Sequence, residues 1–140
     1  MNILSIDYGD KRIGLAIGDS ERKIPNPLQV IQNNSIPHII DEIKKIVISY
    51  DVEKIVIGIP LNEDSSIGSQ SYKVKDFSLI IKKELNIDVV GVDERFSSVD
   101  AEKMLLEQDL SRKKRKKVID ALAASIILQR YFENDDLVNI

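Results

Sequence analysis

A chain of 140 residues is long enough for one domain with a buried core, and a composition of 43% hydrophobic and 31% charged residues is typical of soluble globular proteins. The absence of cysteine excludes disulfides, thiolate metal sites and cysteine nucleophiles. Because the first residues lack the pattern of a signal peptide and no apolar run approaches membrane-spanning length, we expect a cytoplasmic protein without a membrane partner.

The net charge of −3 conceals a strong asymmetry along the chain. Six of the 20 basic residues form one run, RKKRKK, at residues 112–117. The rest of the chain has 14 basic against 23 acidic residues, a net charge of −9. Such a dense basic segment suits binding of a polyanion, although a solvated loop without a partner has the same composition.

The first 32 residues predict three consecutive strands. The apolar segments 2–7 and 12–19 are separated by a turn that contains Gly9, and a third strand is predicted over 26–32. Two prolines around the start of this third strand place it at an edge of the sheet, because proline cannot donate a hydrogen bond to a neighbouring strand.

The chain then alternates between helices and strands. Apolar residues spaced by three and four predict a helix over 36–50, with the single histidine, His38, near its start as a surface or capping residue. A nearly continuous apolar run at 54–60 predicts a strand that is covered on both faces. After a polar loop, a helix over 72–85 and a strand over 88–92 follow.

Two more helices complete the predicted fold, one over 97–108 with Ser97 or Ser98 as its N-cap and one over 118–132. The residues from about 133 onward are predicted to form a loose tail. This order predicts one α/β domain over residues 1–140, in which a five-stranded mixed sheet carries helices on both faces. The first three strands are antiparallel, and right-handed crossovers place the fourth strand beside the first, which becomes central.

Three acidic residues stand at special positions in this predicted fold. Asp7 ends the first strand, Glu94 follows the fifth strand, and Asp120 interrupts the apolar stripe of the last helix among small residues. Each acid taken alone has an ordinary interpretation: Asp7 as a residue of a turn, Glu94 as a residue at the start of a helix, and Asp120 as a solvent-facing residue.

If these three acids converge, their mutual repulsion requires a proton or a cation. Two carboxylates about 4 Å apart repel by roughly 4 kcal/mol at an effective dielectric near 20. Oxygen ligands alone suit Mg²⁺ or Mn²⁺, and two such ions about 4 Å apart can activate water in phosphodiester cleavage.

Four segments, DYGDKRIGLA, GIPLN, DERFSSVDAEKML and KKVIDALAASIILQRY, resemble in order the motifs of the YqgF family. These bacterial proteins have the RNase H-like fold and are related to the RuvC Holliday junction resolvases. The resemblance implies a metal-dependent nuclease in which Asp7, Glu94 and Asp120 are the catalytic and metal-binding residues, with one or two Mg²⁺ or Mn²⁺ ions. The resemblance, rather than the spacing, selects Glu94 over the adjacent Asp93.

The family resemblance also implies a biological role. It implies maturation of the 5′ end of precursor 16S ribosomal RNA during ribosome biogenesis, with ribosomal particles as further partners. Resolution of Holliday junctions in branched DNA is the alternative. One departure from the family is the loop after GIPLN, where Glu63 and Ser65 replace the methionine and glycine of many relatives.

Several basic residues lie near the three acids in the sequence and receive roles as hypotheses. Lys11 and Arg12 would neutralise a phosphate near Asp7, and Arg95 would do the same or would pair with an acid. Gly9 would let the backbone approach metal and substrate closely. The basic run would follow a nucleic-acid backbone without recognising its sequence. Its members are Arg112, Lys113, Lys114, Arg115, Lys116 and Lys117.

Two other functions stay open from the sequence. The D-x-G turn between two strands also resembles the phosphate loop of actin-like sugar kinases and chaperone ATPases, but those proteins need two such domains. A non-enzymatic RNase H-like domain that binds ribosomal RNA or an assembly partner without cutting it is the second alternative. Cleavage of a labelled precursor RNA with and without Mg²⁺ separates these interpretations.

Overall fold

The computed structural model describes residues 1–62, 64, 66–94, 112–133 and 137–138, with the backbone alone for 112–117. The predicted helix over 97–108 and the loop residues Glu63 and Ser65 lie outside the described residues. The strands are β1 (Asn2–Tyr8), β2 (Arg12–Asp19), β3 (Asn26–Gln32), β4 (Val52–Ile59), β5 (Asp88–Asp93) and β6 (Leu137–Val138). The helices are α1 (Ile36–Ser49), α2 (Ser69–Leu85) and α3 (Arg112–Phe132).

These strands form one mixed sheet in the order β3-β2-β1-β4-β5-β6. The pairs β1–β2 and β2–β3 are antiparallel, whereas β1–β4 and β4–β5 are parallel. The predictions of a central β1 beside β4 and of β3 at an edge are therefore confirmed.

The sheet has six strands rather than the predicted five. Leu137 and Val138 pair antiparallel with Val92 and Gly91 of β5. A two-residue strand is too short to show apolar alternation, so this pairing was hidden in the segment that we predicted to be a loose tail. The interpretation of residues 1–140 as a single domain stays a prediction.

The sheet buries apolar side chains on both faces, because successive residues of a strand point to opposite sides. Leu4 and Ile6 of β1 belong to the larger core, beneath α1 and α2. Ile3 of β1 belongs to a second core with Ile127 and Leu128 of α3. Helices thus cover both faces, as predicted, and every residue of β4 from 55 to 59 is buried.

Helix α1 begins at a conventional cap. The side chain of Ser35 accepts a hydrogen bond of 3.3 Å from the backbone N–H of His38, and Pro37 lies in the first turn. His38 itself is exposed, which confirms it as a surface residue. The predicted helix ended at Tyr50, but the helix ends at Ser49, and Tyr50 is its 44% exposed C-cap.

Helix α3 begins at Arg112, six residues before its predicted start at 118. The basic run is therefore helical in its backbone and is not a loop. Lysine and arginine are good helix formers, so a run of them extends a helix readily when nothing breaks it. Among the described helices, none has both the length and the apolar character needed to cross a bilayer.

Candidate active site

Asp7 and Glu94 meet at the carboxyl edge of the parallel strands. Asp7 lies near the end of β1 and Glu94 directly follows β5, with β4 between these two strands. The alternation along each strand places both side chains on the face that α3 covers, as it does for Ile3 and Val92. Asp120 comes to the same face from α3.

Two glycines of the neighbouring strands make this convergence sterically possible. A Cβ atom at Gly58 of β4 would lie 2.6 Å from Oε2 of Glu94 and 2.8 Å from its Cβ, so the Glu94 side chain occupies the space that Gly58 leaves free. Gly14 of β2 pairs with Asp7, and a Cβ atom there would overlap the backbone carbonyl of Asp120. We did not single out either glycine from the sequence, although a glycine inside a buried strand often marks such a close approach.

Helix α3 lies close to the sheet along its small residues. Ala121 and Ala124 are buried, and Oγ of Ser5 on β1 donates a hydrogen bond of 2.5 Å to the Ala124 carbonyl oxygen. This bond and the contact at Gly14 fix the height of Asp120 above the sheet.

A side-chain hydrogen bond joins the carboxyl groups of Asp7 and Glu94. Burial raises the pKa of Asp7, the hydrogen bond with Glu94 opposes this shift, and the charge of Asp120 adds to it. Burial also raises the pKa of Glu94 well above its ordinary range; the Asp7 charge and hydrogen bond add to this, and Arg130 opposes it. Burial and the second carboxyl group therefore favour the protonated form of Glu94 when no cation is bound.

Asp120 has a different partner. Its Oδ2 accepts a hydrogen bond of 2.7 Å from Nε of Arg12, in an ion pair whose side chains are 46% exposed for Arg12 and 19% exposed for Asp120. The negative charge of Asp120 raises the pKa of Asp7, so the two groups interact electrostatically. Within the described ranges, however, no three acidic side chains stand close enough together to share a metal ion as they are arranged.

The turn between β1 and β2 is closed by backbone hydrogen bonds. The N–H of Gly9 donates to the carbonyl oxygen of Arg12 at 3.0 Å, and Asn33 donates to the carbonyl oxygens of Gly9 and Lys11 at 2.8 and 2.9 Å. A Cβ atom at Gly9 would lie 2.5 Å from the Arg12 carbonyl oxygen, so the turn requires glycine for space. Lys11 lies in this turn and is exposed.

The structure adds two cations that we did not predict at the site. Nζ of Lys73 on α2 lies 3.8 Å from the Asp10 carboxylate in the same turn. Arg130 of α3 donates a hydrogen bond of 2.7 Å to the Asp93 carbonyl oxygen and lowers the pKa of Glu94. Neither carries a local sequence signal, because each is brought to the site by a helix from a distant part of the chain.

The other predicted nucleic-acid contacts cannot be placed beside these residues. Arg95 lies outside the described residues, and so do the side chains of the basic run at 112–117. Only the helical backbone of that run is described.

A family model described as "RuvX: Holliday junction resolvase" matches residues 1–134. The chain belongs to the RuvX family. Two relatives of this family member carry the name "Putative pre-16S rRNA nuclease". The one from Halothermothrix orenii is 45% identical over 131 residues, which cover 94% of each chain. The one from Clostridium botulinum strain Hall is 43% identical over 134 residues, 96% of this chain and 98% of the relative.

Solved structures similar to this RuvX-family chain share its fold at low identity. RuvC of Thermus thermophilus, in complex with a Holliday junction substrate, aligns with a TM-score of 0.60 and 16% identity over 96% of this chain and 95% of that one. The fowlpox virus resolvase, in complex with Holliday junction DNA, aligns with a TM-score of 0.56 and 18% identity, covering 96% and 98% of the two chains. The predicted RNase H-like fold is therefore confirmed.

Proposed function

We propose that this RuvX-family protein is a Mg²⁺- or Mn²⁺-dependent nuclease for structured nucleic acid, and that its substrate is precursor 16S ribosomal RNA. The observation that carries this proposal is the hydrogen-bonded carboxyl pair of Asp7 and Glu94 at the carboxyl edge of the central strands. Burying two carboxyl groups against each other is unfavourable unless a proton or a cation compensates them. A site that binds a cation explains why both acids are there.

The donor set fits a hard divalent cation. The three candidate ligands, Asp7, Glu94 and Asp120, offer only carboxylate oxygens, which Mg²⁺ and Mn²⁺ prefer, and together they would hold one or two ions. When bound, such an ion supplies a water of lowered pKa and stabilises charge on phosphate oxygens. The pair of Asp7 and Glu94 gives up its shared proton when it becomes a ligand, because a metal-bound carboxylate is ionised.

The residues of the turn bind and orient the phosphate in this proposal. Lys11 and Arg12 neutralise a phosphate near Asp7, and the narrow turn at Gly9 lets the substrate approach the backbone. Arg95 acts in the same way or pairs with an acid. The helical run formed by Arg112, Lys113, Lys114, Arg115, Lys116 and Lys117 contacts the nucleic-acid backbone without sequence preference.

The choice of RNA rests on the names of the relatives that are 43–45% identical over nearly the whole chain. A second candidate substrate is a DNA four-way junction, which is favoured by the description of the family model and by the similar fold of two junction-bound resolvases. As an rRNA-processing enzyme, the protein would act in the cytoplasm and meet ribosomal particles there.

Cleavage of matched substrates tests this function. A labelled precursor 16S RNA fragment and a labelled four-way DNA junction are incubated with the protein, with Mg²⁺ or with EDTA. We expect metal-dependent cleavage of the RNA. Asp7→Asn, Glu94→Gln and Asp120→Asn should each lower its rate by about 100-fold or more, because each removes a charged ligand without changing size.

The control is Asp41→Asn, which neutralises an exposed acid on α1, outside the site, and should cut at the wild-type rate. Cleavage of the junction alone would make the protein a resolvase. Binding of RNA without any cleavage would make it a non-enzymatic binding domain. Cleavage by Asp7→Asn at the wild-type rate would contradict the assignment of the three acids.

A further inference from the structure

The ion pair between Arg12 and Asp120 divides the three acids into two groups. Asp7 and Glu94 are joined by their own hydrogen bond, while Oδ2 of Asp120 is held at 2.7 Å by Nε of Arg12. In the described part of the chain, no three acids are close enough to share an ion in this arrangement. A cation that uses all three carboxylates therefore needs Asp120 to change its partner.

We propose that Arg12 is a positioning residue that holds Asp120 apart from Asp7 and Glu94 until a divalent cation binds. This inference rests on the proposed metal-dependent function. The guanidinium and the cation are alternative positive partners for one carboxylate, which is mostly buried and needs compensation in either state. Binding of the cation then exchanges one ion pair for another.

The backbone around this ion pair limits the exchange to side-chain rotation. The Asp120 carbonyl already lies against Gly14, where even one added carbon would overlap it. The Ser5–Ala124 hydrogen bond holds the next turn of α3 to β1. Because α3 cannot move closer to the sheet, Asp120 reaches the other acids by rotating about its own side-chain bonds.

The exchange has a consequence for substrate binding. Arg12 begins β2 directly after the turn that carries Lys11, so its guanidinium becomes available to a phosphate once Asp120 has left it. The Arg12 guanidinium thus compensates Asp120 when no metal is bound and a substrate phosphate when metal is bound. Thermodynamic linkage requires the coupling to be reciprocal, so that nucleic acid also tightens binding of the cation.

Calorimetric titration of the nucleic-acid-free protein with MnCl₂ tests this role. Arg12→Ala should bind Mn²⁺ about two- to tenfold more tightly than wild type, because a competing half-exposed ion pair and a nearby positive charge are removed. Lys11→Ala is the matched control. It removes a positive charge from the same turn, and Lys11 makes no ion pair among the described residues. Its dissociation constant should change by less than about twofold.

A double-mutant cycle separates exchange from general charge repulsion. In the Asp120→Asn background, Arg12→Ala should have no larger effect on Mn²⁺ affinity than Lys11→Ala has, since the competing carboxylate is gone. An undiminished effect in that background would overturn the proposal. Equal or weaker Mn²⁺ binding by Arg12→Ala than by wild type would also overturn it, because Arg12 would then be neutral or would help to present Asp120.

The guanidinium gives an independent signal. On saturation with diamagnetic Mg²⁺, the ¹⁵N-detected Nε–H resonance of Arg12 should shift to the position that it has in metal-free Asp120→Asn. A resonance that stays in place while the cation binds would contradict the exchange. If wild type binds no divalent cation, both this inference and the proposed function fail. If wild type binds the cation and Arg12→Ala equals wild type, only this inference fails.

Discussion

Burial and mutual repulsion of the carboxyl groups of Asp7 and Glu94 favour a proton between them when no cation is bound. Burial raises the pKa of both groups, and the neighbouring Asp7 raises that of Glu94 further. The pair therefore stays protonated to a higher pH in the folded protein than in the unfolded chain. A cation has to displace this proton, so metal binding at the pair is expected to weaken as the pH falls.

Glu94→Gln tests the shared proton through the stability of the metal-free protein. A carboxyl group with a raised folded pKa contributes stability that is complete below its unfolded pKa of about 4.3 and is lost as the pH rises through the folded pKa. Glutamine donates to Asp7 at every pH, so the variant lacks this loss. In urea unfolding with EDTA from pH 5 to 8, its stability relative to wild type should rise with pH.

The exposed Asp10→Asn variant is the control for that measurement, and its stability should follow the wild-type curve. Parallel curves for wild type and Glu94→Gln would mean that the pair does not share a proton in the native state.

Helix α3 joins the acid site to the basic run. Its residue Asp120 lies over Gly14 near the carboxyl edge of β1, while Leu128 and Phe132 reach Gly18 at the opposite end of β2. The first eight residues of the helix therefore extend away from the acid site by about 12 Å, at 1.5 Å per residue. Like charges in consecutive turns repel, and cations are unfavourable at a helix N-terminus, so a polyanion should stabilise this end of α3.

Replacing the six basic residues at 112–117 with glutamine tests this element without breaking the helix, because glutamine is a comparable helix former. Binding to RNA and to DNA should weaken alike. The slope of log affinity against log salt should flatten by about 0.7 to 0.9 for each phosphate that the variant no longer neutralises. Glutamines at Lys44, Lys45, Lys82 and Lys83, on the helices of the other face, serve as the control. An unchanged affinity and slope would show that the run is only solvated.

Local periodicity explains which elements could be predicted. The alternation of apolar residues predicted the bounds of β2 and β3 correctly. The predicted ends of β1 and β5 placed Asp7 and Glu94, because the end of a strand depends on residues that are neighbours in the sequence. The pair of Arg12 and Asp120 joins residues 108 positions apart and leaves no periodic signal. Gly14 and Gly58 were readable in principle as glycines inside buried strands, but only the packed structure shows what approaches them.

At the scale of the whole molecule, the distribution of charge supports the proposed cation site. Outside the run at 112–117 the chain has 14 basic and 23 acidic residues, and three of these acids are gathered at one edge of the sheet. The family, the RNase H-like fold and this cluster support one account: a cation compensates the acids and the phosphate of the substrate joins them there. Small residues on α3 and in the strands let this helix lie close enough to the sheet to bring Asp120 to the face that carries Asp7 and Glu94.

Thermal melting across a titration with Mg²⁺ or Mn²⁺ tests that account most directly. At about a hundred times its dissociation constant, a bound cation should stabilise the fold by roughly 2.7 kcal/mol. For a chain of this size the melting temperature should then rise by about 5 to 10 °C. Asp7→Asn should melt at or above wild type in EDTA, because one repelling charge is gone, and should respond much less to metal. The opposite result has two parts: metal shifts wild type no more than it shifts Asp7→Asn, and Asp7→Asn is strongly destabilised in EDTA. Asp7 would then be a structural acid with a protein partner, and the metal site would be contradicted.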